Sequence, residues 1–348
     1  MFEDLGFETL TAPQVSVFLG LALGLIFGAL AQVTRFCLRR AVAGEASERR
    51  PALAIWLTAL AAAVLGTQLA VTTGWITFDD HRFMVTDLPV LAILTGGLLF
   101  GVGMVLTRGC VSRLTVLLAS GNLRALTVLV LFAVTAHATL KGVLAPLRTS
   151  LGSVTLPVDS AALPGNPLIW GALIALAAAA IAWRAGAKPV HLGLALLLGL
   201  LVPAGWVGTG FVLYDDFDPI ALQSLSFTSP YADSLFWTIA NTAVPANFGV
   251  GLIGGTLAGA LALALLRGEF QWQSFETPAQ TGRYALGASL MGVGGVLAGG
   301  CTVGAGLAGV PTLSLAAILA IAAIVLGALA TDRALQATQS GAKAIPAE

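Results

Sequence analysis

Long apolar stretches separated by short polar ones dominate this chain. The apolar runs cover residues 14–33, 52–73, 88–106, 123–145, 167–185, 190–213, 248–266, 284–298 and 312–330. Each is near or above the roughly 18–20 residues that carry a helix across a bilayer. The pattern predicts about nine transmembrane segments. Lipid admits only helices or closed barrels, because every backbone polar group needs a partner there. None of the runs shows the period-two alternation of barrel strands. The predicted fold class is therefore all-α, a polytopic helical membrane bundle.

Composition agrees. Hydrophobic residues make up 57% of the 348 and charged ones only 10%, far too few for the surface of a soluble protein of this size. The net charge of +0 gives no electrostatic footprint for nucleic acid. The Gly-rich stretches lack the Lys-Ser/Thr of a phosphate-binding loop, so no ATPase is expected in the chain. The acidic start, MFEDLGFETLTAPQ, has no basic n-region, so no cleavable signal peptide is expected.

Charge in the loops sets the orientation, because Lys and Arg favour the cytoplasmic side. Arg35, Arg39, Arg40, Arg49 and Arg50 follow the first run, and Arg184 and Lys188 mark a later turn. The segment WITFDDHRFMVTD is acidic, and so is the one holding Asp215, Asp216, Asp218 and Asp233. Nine crossings of a bacterial inner membrane that start outside satisfy all of these. The expected N-terminus is outside and the C-terminus cytoplasmic. Trp75, Trp183 and Trp206 fall near run ends, where interfacial aromatics belong.

Two segments match closely. GVGMVLTRGC ends at Cys110 and GVGGVLAGGC ends at Cys301, with seven of ten positions identical. About ten residues beyond each Gly-Cys stands a breaker, Gly121 or Pro311. A second pair lies upstream: Gly20, Gly24 and Gly28 before Ala-Leu-Ala resemble Gly251, Gly255 and Gly259 before Ala-Leu-Ala. These matches predict an internal duplication, with halves at about 14–145 and 235–331 joined by helices at 167–213, in one transport domain spanning 1–348. The run before Cys110 starts after the acidic loop, whereas the run before Cys301 starts after Arg267 and Arg283. The halves should thus be inverted, as in many transporters. Residues 111–120 and 302–310 are too short to span, so each should be a half-helix behind a turn made by Gly109 or Gly300. The Gly triplets read as close helix packing.

Three cysteines, Cys37, Cys110 and Cys301, are an odd number and argue against a disulfide framework. A Cys in an apolar helix is often only a small hydrophobe, but Cys110 and Cys301 share one place in the repeat. Cys37 lies outside the decapeptide pair and is expected to tolerate substitution better. Without a CxxC, and with His81, His137 and His191 far off in sequence, no metal or cofactor is expected. His81 reads as a solvated loop residue, His191 as a basic flank and His137 as a helix–helix contact.

The stretches AQVTRFCLRRA, GVGMVLTRGCVSR and GVGGVLAGGCTVGAG together resemble the YeeE/YedE family of sulfur-compound transporters. The resemblance implies an inverted helical bundle that passes thiosulfate or a related sulfur anion inward along cysteine thiols. It implies Cys37, Cys110 and Cys301 as the substrate path. Gly109, Gly300 and Thr302 would support them, and Arg35, Arg108 and Arg113 read equally as anion-attracting groups at one mouth or as cytoplasmic topology markers. A small cytoplasmic sulfur-carrier protein is the kind of partner it suggests, beside lipid, and selenium compounds are alternative cargo. After Cys110 the sequence reads Val-Ser-Arg, where Cys301 is followed by Thr-Val-Gly, so the pattern is not symmetric.

The chemistry suits such a task. A carrier must strip water from an anion and still release it. Neutral thiols are weak donors that hold a soft anion without a fixed cation, and burial among apolar groups keeps them protonated. The rival reading is a membrane thiol redox or sulfurtransfer enzyme, which needs two thiols close together. A purely structural subunit leaves the duplicated Gly-Cys unexplained.

Overall fold

The computed structural model describes residues 10–215 and 217–343. The acidic N-terminal positions 1–9, Asp216 and residues 344–348 lie outside the described residues. Among the described residues thirteen α-helices follow in order. They are α1 (Ala12–Thr34), α2 (Leu38–Ala43), α3 (Ala46–Thr72), α4 (Val90–Leu106), α5 (Val111–Ala119), α6 (Leu123–Lys141) and α7 (Ala145–Gly152). Then come α8 (Pro167–Ala185), α9 (Pro189–Val207), α10 (Thr228–Ala240), α11 (Phe248–Leu266), α12 (Pro278–Leu297) and α13 (Leu315–Lys343). A π-helical segment, Thr302–Gly309, stands between α12 and α13. Among the described residues nine helical stretches are long and apolar enough to cross a membrane. Apolar side chains such as Phe18, Leu69, Leu176 and Leu265 stay exposed on them, as a lipid-facing surface requires. The protein is a multi-pass membrane protein of helical class.

Local signals set the ends of these helices. Pro278 opens α12 behind the Thr277 cap, whose hydroxyl accepts from the Gln280 N–H at 3.2 Å. Asn122 and Asn247 cap α6 and α11 in the same way, each satisfying one donor that a helix start leaves orphaned. At one end of the bundle a two-residue pairing, Asp87–Leu88 with Leu156–Pro157, ties two loops together. At the other end Gln32 donates to Glu269 at 2.8 Å, and the Leu123 N–H donates to the Gln273 carbonyl at 2.8 Å. The α5–α6 turn and the α11–α12 loop are thereby joined.

Glycine decides how closely the helices approach. Gly96 of α4 faces Gly294 and Ala298 of α12, and Gly103 faces Gly287 and Met291, so α4 and α12 run antiparallel. The upstream glycines behave differently. Gly20, Gly24 and Gly28 meet Phe248, Leu252 and Thr256 in ascending order, so α1 and α11 run parallel. Partners in an inverted relation must be antiparallel, so this glycine pair is a packing seam and not a second element of an inversion. A Cβ at Gly24 would overlap the Leu252 carbonyl oxygen, a backbone atom that cannot swing aside.

Gly24→Ala is therefore expected to lower the thermal midpoint, by an overpacking cost of about 1–3 kcal/mol or more. Gly193→Ala in α9, where a Cβ meets nothing within 4 Å, should be neutral or stabilising, since Ala is the better helix former. Fluorescence-monitored melts of the two detergent-solubilised variants check this; equal midpoints would rule out the seam as a determinant of stability.

Candidate functional site

Each cysteine sits at the same structural joint. Cys37, Cys110 and Cys301 are the N-cap residues of α2, α5 and the π-helical segment. Two positions before each stands a left-handed residue: Arg35 (φ 52°), Arg108 (φ 59°) and Gly299 (φ 75°). The helix ends there and the Cys opens a new one. Glycine was expected to make the turn at Gly109 and Gly300, but the left-handed residue lies one place earlier. Gly300 serves a different need, because a Cβ there would crowd the Ala305 nitrogen at 2.7 Å. Gly109 is looser, its nearest neighbour being Leu114 at 3.3 Å.

Cys37 thus belongs with the other two. The signal was in the sequence: Gly28 and Thr34-Arg35-Phe36-Cys37 stand at the spacing of Gly101 and Thr107-Arg108-Gly109-Cys110. The threonines repeat as well, Thr34 donating to the Leu30 carbonyl at 2.8 Å and Thr107 to that of Gly103 at 2.9 Å.

The three thiols are buried and free. Cys37 Sγ and Cys110 Sγ are 3.9 Å apart, a sulfur–sulfur hydrogen bond. Ser112 Oγ lies 3.4 Å from Cys110 Sγ, and the Thr302 hydroxyl borders the same thiol. Thr302 follows Cys301 directly, so it stands between the Cys110 and Cys301 thiols. Its Oγ1 has no well-formed partner among the described residues. Cys301 Sγ accepts from the Gly304 N–H at 3.4 Å. The close pair is therefore Cys37 with Cys110, which sequence alone did not suggest.

Charged side chains flank the row at both ends. Arg113 borders Cys37, and its buried Nη1 has no partner among the described residues. Arg35 is exposed near Glu48, Glu269 and Arg113. Arg108 points elsewhere, into a small pocket of ≈ 180 Å³ with Asn122, Arg124 and Tyr284. At the opposite end Arg82 lies within electrostatic reach of Cys301, its guanidinium 5.1 Å from the Phe83 ring centre.

Arg82 also lines a cavity of ≈ 980 Å³ whose floor includes Gly304. Its walls come from the acidic loop 74–83 and from the segment 206–230. Trp206 Nε1 and Ser226 Oγ face this region as buried donors without partners among the described residues. Buried donors are normally satisfied; two left open beside an arginine make a cavity suited to an anion. Sequence reasoning missed this site. Trp206 is buried against Phe78 and His81, with ring centres 5.1 and 5.2 Å away, and is not an interfacial anchor. His81 is half-buried in the same aromatic cluster and not solvated. His137 does pack between helices, stacked on Phe236 at 5.1 Å.

Burial holds His81 down at about 4, with the Arg82 charge acting in the same direction. A depressed histidine keeps its full contribution above its ordinary value of about 6.5 and loses it as pH falls through about 4. Uptake should therefore show no His81-dependent step between pH 5 and 8. A titration near pH 6.5 that disappears in His81→Gln would contradict the buried, neutral imidazole.

Comparison with known proteins follows the same lines. The model of a family described as "Sulphur transport" matches residues 33–330. A protein of Spirochaeta thermophila named "Thiosulfate transporter TsuA" is 26% identical over 341 residues, 89% of this chain and 96% of that protein. An Escherichia coli protein of the same name is 25% identical over 319 residues, 83% of this chain and 86% of that protein.

Proposed function

The chain belongs to the sulphur transport family, and from that premise we propose that it carries a sulfur-containing inorganic anion, thiosulfate first of all, across the bacterial inner membrane. The observation that carries this reading is the row of three buried thiols, each at the mouth of a helix, between two arginines. Arg82, Trp206 Nε1 and Ser226 Oγ gather the dianion in the outer cavity. Cys301, next to the cavity floor at Gly304, takes it first. Thr302 and Cys110 take it next, and then Cys37, with Arg113 beside it.

Each helix start adds partial positive charge without a fixed cation, so the anion is held weakly enough to move on. The hydrogen-bonded Cys37–Cys110 pair must part to admit the substrate, which makes it the narrowest step. The chain acts as a carrier and not as an enzyme in this reading. The whole length works as one transport unit, in which α4–α5–α6 and α12–π–α13 form the inverted pair. The N-terminus lies outside and the C-terminus inside, where a small sulfur-carrier protein accepts the cargo. Reporter fusions at the two termini that report the same side would contradict this orientation.

The deciding experiment is uptake of labelled thiosulfate into proteoliposomes, with sulfite, sulfide and selenium oxyanions as competitors. Uptake blocked best by unlabelled thiosulfate supports the reading; uptake no faster than in protein-free vesicles sinks it. The 3.9 Å thiol pair also favours a second reading, a membrane thiol redox or sulfurtransfer enzyme. That reading requires chemical conversion of the labelled anion, which analysis of the vesicle contents detects.

A further inference from the structure

The contact between Cys37 and Cys110 is the one sulfur–sulfur approach among the described residues. Nothing in the carriage of an anion requires two thiols to touch. The two cysteines are 73 positions apart and belong to different helix joints, the α1–α2 turn and the α4–α5 turn. The backbone N–H groups of Arg40 and Cys110 lie near the Cys37 sulfur, and so does the Arg113 guanidinium. These groups favour negative charge as it develops on Cys37. Cys301 differs: its sulfur is engaged by the Gly304 N–H and meets no second sulfur among the described residues.

We propose that Cys37 and Cys110 form a reversible dithiol modification site, which hydroperoxides oxidise to a disulfide that shuts the path. The Cys37 sulfur attacks one peroxide oxygen. The S–O bond forms, the O–O bond breaks, and the departing hydroxide takes up the thiol proton as water. The Cys37 sulfenic acid is then attacked by the Cys110 sulfur. The S–S bond forms, the S–O bond breaks, and a second water leaves with the Cys110 proton. In total two thiols and one hydrogen peroxide give one disulfide and two waters, with both electrons passing from sulfur to oxygen.

The sulfurs must close from 3.9 Å to about 2.05 Å, which side-chain rotation at two adjacent helix caps can supply. The bond then staples the α1–α2 turn to the α4–α5 turn. It also removes two thiol donors, where the anion needs them free and apart. The consequence for uptake rests on the thiol-path reading above; the disulfide itself does not.

The test uses the full-length protein in proteoliposomes. Hydrogen peroxide is added, thiols are counted with a maleimide mass tag after denaturation, and peptides are mapped by mass spectrometry. Of the three free thiols one should remain, and one cross-linked peptide should join Cys37 to Cys110 with loss of two hydrogens. Dithiothreitol should restore all three, and labelled thiosulfate uptake should stop and resume in step. The Cys301→Ala protein should form the same cross-link, whether or not it still transports. Three unmodified thiols, a cross-link through Cys301, or sulfinic acid on Cys37 without a disulfide would each overturn the proposal. Because the peptide map does not depend on transport, a failed uptake assay counts against the carrier reading alone.

Discussion

Cys110→Ala and Cys301→Ala are each expected to reduce labelled thiosulfate uptake by roughly 10- to 100-fold while the protein still inserts and folds. The magnitude follows from the bond removed: a hydrogen bond to a charged group contributes about 1.5–3 kcal/mol, and about 1.4 kcal/mol is tenfold in rate. A dianion that meets a gap in a dry path must cross it without its donor, and the other two stations cannot compensate at a distance. Folding is a separate matter. Removing one sulfur from an apolar site should cost on the order of 1 kcal/mol, which melting curves and membrane yield will register. Cys37→Ala should fail like the others, since Cys37 shares their helix-cap geometry and touches Cys110. Serine at each position separates hydrogen bonding from sulfur softness: it keeps a donor of similar size but is less polarizable. Partial activity in Cys→Ser means the donor suffices; activity as low as in Cys→Ala means softness matters. A Cys110→Ala, Cys301→Ala double variant that transports at the parent rate would defeat the thiol path altogether.

The spans were legible because lipid leaves a chain so little choice. Residues 248–266 were read with both bounds as the structure has them, for Asn247 and Arg267 frame an unbroken apolar run. The breaks at Cys110 and Cys301 were legible from the repeated Gly-Cys. The left-handed residues were not, because Arg108 occupies a conformation that residues with a Cβ rarely adopt. In the second copy that position is Gly299, so the repeat carries the signal one place before its Gly-Cys. Short α2, α7 and α10 escaped notice because six to thirteen residues of mixed polarity carry no span signal. The large cavity was invisible for a related reason. Its walls come mostly from loops and helix ends, and no periodicity marks His81, in a loop, or Trp206, at the end of α9, as part of it. Tyr231 of α10 shows what was lost: its hydroxyl lies 2.7 Å from Thr115 Oγ1 and braces α5 just behind Cys110.

Arg113→Met should move stability and uptake in opposite directions. The guanidinium is half-buried beside Cys37, its Nη1 is enclosed without a partner among the described residues, and Arg35 and Arg40 repel it. A charge in that setting costs free energy that its neighbours do not repay, and replacing buried ionic groups by apolar ones of like size is often neutral or stabilising by about 1–4 kcal/mol. Orientation is not expected to change, because Arg35, Arg39, Arg40, Arg49 and Arg50 keep the positive charge that biases this loop toward the cytoplasm. The fold should therefore keep its thermal midpoint or gain a few degrees. Uptake should fall by roughly tenfold or more, since a charge-assisted bond to the anion at its last station contributes about 1.5–3 kcal/mol. Arg113→Lys keeps the charge but not the planar fork, and holds its water more tightly, so it should recover only part of the loss. Melting curves and uptake rates on the same three preparations decide the matter. If Arg113→Met transports at the parent rate, the arginine serves topology alone; if it loses stability together with uptake, its guanidinium has a structural partner and not a passing anion.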